Sequence, residues 1–341
     1  MTITNKIKVV VVGGGTGTHT VLRGLRRYAD HLSLAAVVSM ADSGGSTGRL
    51  RDEFGYLPVG DVRNALTALA AEGDTADTLL RQLFEYRFDR GAGLSGHNFG
   101  NLLLTALTDI LGSEAAAIAA AGRILRIDGT VIPVTTDNVQ LCAVYDDGVC
   151  VVGESEIDEP TACRLPRRIT ALSLTPVARL SEAAREALTA ADVIVLGPGD
   201  LYTSVLANCV VDGFAEALAS SQATIVYVCN LMSKCGQTTG YTTDEHIAEI
   251  AKYLQRAPDV AIAHQGEYPA DLLARYAMSG EYPIAHGHSS SVPLYTASLL
   301  AKEEVVLPSG DRLRRSLIRH DVDRLATAIL SAAGITNQQT Q

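Results

Sequence analysis

The stretch KVVVVGGGTGTHTVLRGL, residues 8–25, decides the fold. Its four consecutive valines are typical of a buried parallel strand, and the glycines after them allow a tight turn whose backbone can approach a ligand. Leu22 and Leu25 then recur at helical spacing. A strand, a glycine turn and a helix in this order predict a nucleotide-binding α/β unit with a phosphate group at the N-terminus of the helix.

The spacing of this first glycine loop, residues 13–17, departs from the dinucleotide fingerprint G-x-G-x-x-G. After Gly13 and Gly15 the third position falls on Thr18, so the loop indicates a nucleotide without establishing NAD. The sequence also lacks a Tyr-x-x-x-Lys motif. An NAD-dependent dehydrogenase is therefore the weakest functional hypothesis for this chain.

Composition narrows the class of protein further. The 341 residues are 47% hydrophobic and 19% charged, as is typical of a soluble globular protein with a large core. A formal net charge of −10 argues against a nucleic-acid partner. The six cysteines form no Cys-x-x-Cys pair, and no apolar run is long enough for a membrane span. We expect a cytoplasmic protein without a targeting signal.

A second glycine loop follows the next predicted strand, residues 33–40. Asp42 stands at the end of that strand, where dinucleotide-binding units place an acidic residue for a ribose hydroxyl. The loop SGGSTGRLR, residues 43–51, then combines glycines and hydroxyl groups with Arg49 and Arg51. Backbone amides, hydroxyls and guanidinium groups together favour an oxyanion ligand.

Polar residues also stand at the start of the helix after this loop. Asp61 is predicted to cap the N-terminus of that helix. Arg63 and Asn64 lie in its first turn and face either solvent or the glycine loops. In an enzyme, Asp61 would be one candidate for the general base.

The segment HNFGN, residues 97–101, opens an apolar helix. His97, Asn98 and Asn101 either cap this helix or bind a ligand through the same groups. His97 is the other candidate for a general base in an enzyme.

The middle of the chain interrupts the alternation of strands and helices. Short strands are predicted within residues 130–168, a region that ends in an exposed loop over 156–168. We therefore expect a single α/β domain over residues 1–335 with a short β-rich excursion near 130–168. A disordered tail is predicted at 336–341.

The second half of the chain returns to alternating strands and helices, beginning with a predicted strand at 169–174. A buried strand at 192–196 then leads into the third glycine loop, GPGDLYTS, residues 197–204, and into a helix over about 205–219. The order of strand, glycine turn and hydroxyls repeats that of the first loop. In an open parallel sheet two such loops meet where the strand order reverses, and ligands bind there.

Two further polar positions are candidates for ligand contacts. Asn230 ends the predicted strand at 223–229, and Arg319 stands just before a helix that His320 or Asp321 is predicted to cap. Arg319 is placed to clamp a phosphate or carboxylate, although a surface ion pair explains it nearly as well.

The chain resembles the gluconeogenesis-factor family of bacteria from about residue 7 to about residue 333. The motifs that carry this resemblance occur in the family's order and are VVVVGGGTGT, MADSGGSTGRLR, LPVGDVRNAL, GLSGHNFGNLLL, VLGPGDLYTSVL, YVCNLM and IRHD. Members of the family are described as UDP-N-acetylglucosamine-binding proteins linked to cell shape and to growth on gluconeogenic carbon sources. The resemblance therefore implies a UDP-sugar ligand.

The family is similar in fold to 2-phospho-L-lactate transferase, which moves a phospholactyl group from a guanosine diphosphate donor to a deazaflavin. That enzyme shares the GGTGT turn, here Gly14 to Thr18, and a G-P-x-x-x-x-T-S loop, here Gly197 to Ser204. It lacks the SGGSTGRLR loop and the HNFGN segment, so its acceptor site does not carry over. The resemblance implies a three-layer, Rossmann-like α/β fold with a mostly parallel sheet.

Three positions depart from the usual pattern of the family. Ser43 replaces the second residue of an acidic pair, Val59 replaces a proline, and Gln237 stands where an acidic residue is commoner. If two carboxylates were needed to hold Mg²⁺ beside a diphosphate, this chain would have one ligand fewer. Sugar-nucleotide binding is therefore better supported than Mg²⁺-dependent transfer.

We predict a UDP-sugar-binding regulator of central carbon metabolism and envelope synthesis, with UDP-N-acetylglucosamine or UDP-glucose as ligand and no assigned metal. The alternative is a transferase that uses a nucleotide-diphosphate-linked donor. Protein partners in envelope synthesis are expected for a regulator. The sequence does not determine the oligomeric state, and a homo-oligomer is one of the states that it allows.

In the regulator hypothesis the first and third glycine loops hold the diphosphate, and arginines neutralise its charge. Asp42 and Asn230 contact hydroxyls or the base, and the HNFGN segment lines the sugar end. The predicted ligand-binding residues are Gly13, Gly14, Gly15, Thr16, Gly17, Thr18, Asp42, Gly44, Gly45, Ser46, Thr47, Arg49, Asp61, Arg63, Asn64, His97, Asn98, Asn101, Gly197, Pro198, Gly199, Asp200, Thr203, Ser204, Asn230 and Arg319.

Overall fold

A computed structural model of the chain describes residues 6–71, 73, 75–159, 167–289, 291–302 and 316–335. The strands are β1 (Ile7–Gly13), β2 (Leu32–Val38), β3 (Thr130–Pro133), β4 (Gln140–Tyr145), β5 (Cys150–Val152), β6 (Ile169–Thr175), β7 (Val193–Leu196), β8 (Thr224–Val228), β9 (Val260–His264) and β10 (Leu294–Ala297). The helices are α1 (Gly15–Leu25), α2 (Gly45–Phe54), α3 (Gly60–Leu69), α4 (Thr75–Glu85), α5 (Phe99–Leu111), α6 (Glu114–Ile124), α7 (Glu154–Asp158), α8 (Glu182–Thr189), α9 (Ala207–Cys209), α10 (Phe214–Ser220), α11 (Thr243–Leu254), α12 (Ala270–Ala277) and α13 (Val322–Ala332). A 3-10 turn at Arg26–Tyr28 follows α1, and a π-helical segment at Leu201–Leu206 precedes α9.

The valine-rich strand β1 lies in the middle of the main sheet. Within the described residues, seven strands pair in the order β10-β9-β8-β7-β1-β2-β3, and each pairing is parallel. Val11 lies opposite Ala36 of β2 and Val195 of β7, and all three are fully buried. Strands covered on both faces need apolar residues at successive positions, which explains the VVVV and VIVL sequences of β1 and β7.

The strand order reverses between β1 and β7. From β1 the chain continues outward to β2 and β3, whereas β7 lies on the other side of β1 and is followed outward by β8, β9 and β10. The first glycine loop follows β1 and the third follows β7. The two loops therefore meet at the switch point of the sheet, as the sequence predicts.

Helices flank the sheet in two groups, which makes a three-layer α/β fold. In one group α1 packs against α3 and α13, and in the other α10 packs against α8 and α11. Gly24 explains how closely α1 and α13 approach, because an added Cβ would lie 2.5 Å from the Val322 carbonyl oxygen. Asp321 caps α13 by accepting hydrogen bonds from the backbone N–H groups of Asp323 and Arg324, which confirms one of the two caps predicted for this helix.

The β-rich region is divided between two sheets, which corrects two expectations. Strand β3 joins the main sheet beside β2, whereas β6, expected to resume the parallel sheet, pairs antiparallel with β4 in a second sheet of order β5-β4-β6. The burial of β6 gives the reason, since Ile169, Leu172 and Leu174 are buried while the residues between them are exposed. Such one-sided burial suits an antiparallel strand with one solvated face.

Two predicted boundaries also differ from the structure. The helix predicted over 205–219 is divided, because Gly213 adopts a φ of +91° between α9 and α10. The start of the predicted loop at 156–168 belongs instead to α7, in which Ile157 is fully buried. The predicted tail at 336–341 lies outside the described residues.

Most of the buried apolar residues form one core around the main sheet. A smaller cluster of Leu231, Met232 and Ile318 lies apart from it and packs against α12. Across the described ranges, the helices are too short or too polar to cross a lipid bilayer.

Candidate functional site

A cavity of about 740 Å³ opens at the switch point of the main sheet. Residues of all three glycine loops line it, together with α7, the loop after β8, one end of α12 and residues 316–320. Of the predicted ligand-binding residues, those that line the cavity are Gly14, Gly15, Thr16, Gly17, Asp42, Gly44, Gly45, Ser46, Thr47, Asp61, Arg63, Asn64, Asn101, Pro198, Gly199, Asp200, Thr203, Ser204, Asn230 and Arg319.

The first glycine loop turns directly into α1 above the carboxylate of Asp61. The backbone N–H of Gly15 donates to Asp61 Oδ1 at 2.7 Å. Gly14 lets the Asp61 carboxylate come this close, because an added Cβ would lie 2.2 Å from Asp61 Oδ2 and the carboxylate would have to shift. The N-cap residue of α1 is Gly14, which has no side chain, so apart from the Gly15 N–H the first turn presents backbone N–H groups and a positive helix dipole toward the cavity.

The predicted role of Asp61 as the cap of its own helix is wrong. Helix α3 begins at Gly60, its N-cap is Val59, and no side-chain hydrogen bond caps it among the described residues. Asp61 instead supports the first glycine loop across the cavity floor. Burial and the charge of Asp42 raise the pKa of Asp61 to about 7.

The first and third glycine loops touch through Gly17. An added Cβ at Gly17 would lie 2.0 Å from the carbonyl oxygen of Pro198, so only glycine permits this contact. Gly13, Thr18 and Gly197 do not line the cavity. Gly13 and Thr18 pack against each other beneath the loops, and the backbone N–H of Gly197 donates to Val12 O at 3.1 Å. These three residues support the loops from outside the cavity lining.

The second glycine loop is shorter than predicted, because α2 begins at Gly45. Asp42 Oδ1 accepts a hydrogen bond from the Gly44 backbone N–H at 2.9 Å, and burial raises the pKa of this carboxyl. Asn101 Nδ2 donates to Ser46 Oγ at 3.5 Å and to Thr47 Oγ1 at 3.4 Å. The polar residues of this loop thus form one network with the start of α5.

Arg63 belongs to the same wall of the cavity. Its Nε donates to Asn101 Oδ1 at 2.9 Å, and its Nη2 donates to Asn64 Oδ1 at 2.8 Å. Gly100 makes room for the arginine, because an added Cβ would lie 2.8 Å from Arg63 Cδ. The guanidinium group is therefore held in a defined orientation beside the first glycine loop.

Three other predicted residues also lie outside the cavity lining. His97 is 6% exposed, and its Nδ1 lies 3.1 Å from Ser46 Oγ; burial, followed by Arg49, lowers its pKa. Asn98 caps α5 by accepting from the Asn101 backbone N–H at 3.2 Å. Arg49 donates to Ser95 O at 3.2 Å and 3.3 Å. The contacts of these three residues connect α2 to the segment before α5. The sequence left such a structural role open for His97 and Asn98.

Helix α7 contributes residues to the cavity that sequence analysis missed. Ser155 is tied to the second glycine loop, because its backbone N–H donates to Ser43 Oγ at 3.0 Å. Burial raises the pKa of Glu154 well above its usual range, and the charges of Asp42 and other nearby carboxylates add to this. The contact of α7 with the second glycine loop joins residues 112 positions apart, so no local sequence pattern could have revealed it.

Within the part of the chain that the structure describes, no group of three or more His, Cys, Asp or Glu side chains is arranged to hold a metal ion. Ser43 stands where the family usually has the second residue of an acidic pair. Its Oγ lies 3.1 Å from Ser155 Oγ of α7 and accepts a hydrogen bond from the Ser155 backbone N–H at 3.0 Å.

The wall opposite the second glycine loop is formed by α12 and residues 316–320. Tyr276 Oη accepts hydrogen bonds from the backbone N–H groups of Leu317 at 2.9 Å and Ile318 at 3.2 Å. Arg319 lines the cavity, and its Nε donates to Ser316 O at 2.9 Å. Next to it, burial lowers the pKa of His320 to about 4, so this imidazole is uncharged at neutral pH.

Residues 9–299 match the family described as 2-phospho-L-lactate transferase CofD. The chain belongs to the CofD family. Relatives that are similar to nearly the whole chain are named gluconeogenesis factors. The "putative gluconeogenesis factor" of Nostoc sp. is 41% identical over 96% of this chain and 69% of its own length. That of Thermotoga maritima is 39% identical over 95% of this chain and 98% of its own. The "gluconeogenesis factor" of Bacillus subtilis is 33% identical over 95% of this chain and 98% of its own length.

A solved structure supports the same placement of this CofD-family chain. The crystal structure of a UPF0052-family protein from Bacillus halodurans superimposes with a TM-score of 0.85 at 36% sequence identity, covering 96% of this chain and 99% of that one. The resemblance to gluconeogenesis factors and the predicted α/β fold are thereby confirmed.

Proposed function

We propose that this chain is a UDP-sugar-binding regulatory protein of the gluconeogenesis-factor type. The observation that carries the proposal is the contact of the first and third glycine loops at Gly17 and Pro198, which places two phosphate-type loops side by side in one cavity. A cavity of about 740 Å³ lies within the range of small-molecule sites, roughly 300–1,000 Å³. It has room for a nucleotide and an attached sugar.

The ligand would cross the switch point with its diphosphate on the two loops. The first turn of α1 would donate backbone hydrogen bonds to the diphosphate, and Arg63 would neutralise part of its charge. Asn101 and Thr47 on one side suit the hydroxyls of a sugar. Asn230 and Arg319 on the other side suit the nucleoside end.

A transferase that uses a nucleotide-diphosphate-linked donor is the second candidate. Asp61 favours it, because a carboxyl with a pKa of about 7 is suited to act as a general base near neutral pH. His97 does not favour it, since its ring lies outside the cavity lining and contacts Ser46. The occupation of Asp61 Oδ1 by the Gly15 N–H supports a structural role and hence the regulator.

We further propose that the protein acts in the cytoplasm in growth on gluconeogenic carbon sources and in cell-wall synthesis, through protein partners. Relatives named gluconeogenesis factors support the first part. Deleting the gene should impair growth on gluconeogenic carbon sources, and a copy carrying Gly17→Ala should fail to restore it if ligand binding is required.

A thermal-shift screen tests the ligand. UDP-N-acetylglucosamine, UDP-glucose, GDP, NAD and NADP are each added with and without Mg²⁺. A ligand at about 100 times its Kd stabilises a protein by about 2.7 kcal/mol, which raises the Tm of a chain of this size by a few degrees. A selective shift with UDP-sugars supports the regulator, a preference for GDP supports the transferase, and a shift with NAD alone contradicts both.

A further inference from the structure

Lys234 follows β8 in the loop after Asn230 and lines the cavity with its side chain 19% exposed. Its Nζ lies 3.3 Å from the Asp158 carboxylate and 3.4 Å from Asp200 Oδ2. Burial by itself lowers the pKa of a lysine, but the charges of Asp200 and Asp158 outweigh burial and raise the pKa of Lys234. The side chain is therefore a permanent cation in the wall of the cavity.

The ammonium group of Lys234 has capacity for another acceptor. Both of its ion pairs are longer than the roughly 2.7–2.9 Å typical of a charge-assisted hydrogen bond. A lysine carries three N–H donors, and among the described residues Lys234 Nζ donates only to Asp158 and Asp200. An anionic oxygen can thus bind to Lys234 without replacing either partner.

Asp158, on α7, holds the side chain of this lysine in place. Besides Lys234, the Asp158 carboxylate accepts hydrogen bonds from Thr203 Oγ1 at 3.2 Å and from Gln237 Nε2 at 3.2 Å. One carboxylate on α7 therefore joins the third glycine loop to the loop after β8. It holds the lysine beside the hydroxyl groups of the third loop.

The protonation of Asp200 sets the net charge around Lys234. Burial raises the pKa of Asp200 to about 7, with Lys234 opposing and Asp158 adding to the effect. At neutral pH, Asp200 is therefore protonated for part of the time. The group formed by Lys234, Asp158 and Asp200 then carries less than one net negative charge, so it repels an approaching phosphate less than it would with Asp200 fully ionised.

We propose that Lys234 binds a phosphate group of the ligand on the third glycine loop. Its partner Asp200 belongs to that loop, whose Thr203 and Ser204 hydroxyls line the same part of the cavity. The inference rests on the proposed function, because it assumes a nucleotide diphosphate in this cavity. It adds a cation that sequence analysis, which chose Arg49, Arg63 and Arg319, did not identify.

Titration calorimetry with UDP and with uridine at millimolar concentration tests this assignment. Lys234→Met removes the charge at similar side-chain length, and UDP affinity should fall by about tenfold to a hundredfold while uridine affinity stays nearly constant. Lys234→Arg keeps the charge and should keep most of the UDP affinity. Lys252→Met, which removes a half-exposed lysine paired with Glu249 away from the cavity, should bind UDP like the wild type.

Removing Lys234 leaves two carboxylates without their cation, so a second variant guards against a folding effect. The double variant Lys234→Met/Asp158→Asn neutralises one of them and should still bind UDP weakly. If the wild-type chain binds neither UDP nor a UDP-sugar, the proposed function itself is wrong. If the wild type binds UDP and Lys234→Met binds it equally well, or loses UDP and uridine in the same proportion, only the assignment of Lys234 is wrong.

Discussion

Replacing Gly17 by alanine would force the first and third glycine loops apart. The added Cβ would lie 2.0 Å from the Pro198 carbonyl oxygen and 3.2 Å from the Gly199 backbone nitrogen, whereas ordinary contacts begin at 3.4 Å. Backbone atoms cannot rotate away as a flexible side chain would, so one loop must move. A phosphate group that bridges both loops would then lose hydrogen bonds from one of them.

The size of the effect follows from the groups involved. Hydrogen bonds to a charged group contribute about 1.5–3 kcal/mol each, so losing one should weaken UDP-sugar binding by about tenfold to a hundredfold. Overpacking costs about 1–3 kcal/mol of stability, and alanine recovers up to about 1 kcal/mol through its helix propensity. We therefore expect a large loss of affinity with a modest loss of stability.

Titration calorimetry with UDP-N-acetylglucosamine measures the affinity, and urea unfolding measures the stability. Gly93→Ala is a matched control, because no atom lies within 4 Å of a Cβ added there and its φ is not in the left-handed region. The control should behave like the wild type. Unchanged UDP-sugar affinity in Gly17→Ala would refute the reasoning that both loops hold one diphosphate.

Three further predictions follow from the site and its supports. UDP-sugar affinity should rise as the pH falls from 8 to 6, because Asp61 and Asp200, each with a pKa of about 7, lose negative charge as they bind protons. Calorimetry in buffers of different ionisation enthalpy should show that protons are taken up when the UDP-sugar binds. Proton release on binding would contradict this prediction. Arg319→Ala should lower UDP-sugar affinity by about tenfold with unchanged Tm, and equal affinity would return Arg319 to a surface role. Asp321→Ala should cost about 1 kcal/mol in urea unfolding through loss of the α13 cap, with unchanged ligand affinity.

The sheet and its switch point could be predicted because local sequence carries the information. Apolar runs such as VVVV and VIVL are required only where both faces of a strand are covered, and glycines after such strands are required where loops approach each other. Gly17 is an example, because no other residue fits against Pro198. The positions of the first and third glycine loops were therefore predictable.

The parts that could not be predicted depend on packing between distant segments. Asp61 stands where a helix cap is common, yet its partner is the Gly15 N–H, 46 residues earlier. Asp158 and Lys234 are 76 residues apart in the chain and come together only in the folded structure. The sequence did not predict that β3 joins the main sheet and β6 the second sheet, because short strands have similar sequences in parallel and antiparallel sheets. Only the one-sided burial of β6 in the structure distinguishes the two arrangements.

A crystal structure of the chain with bound UDP-N-acetylglucosamine is the most direct test of the central claim. We expect the diphosphate at the switch point, in contact with backbone N–H groups of residues 14–17 and with the loop at residues 199–204. Density for the diphosphate away from both loops, or a nucleotide bound elsewhere on the chain, would contradict it.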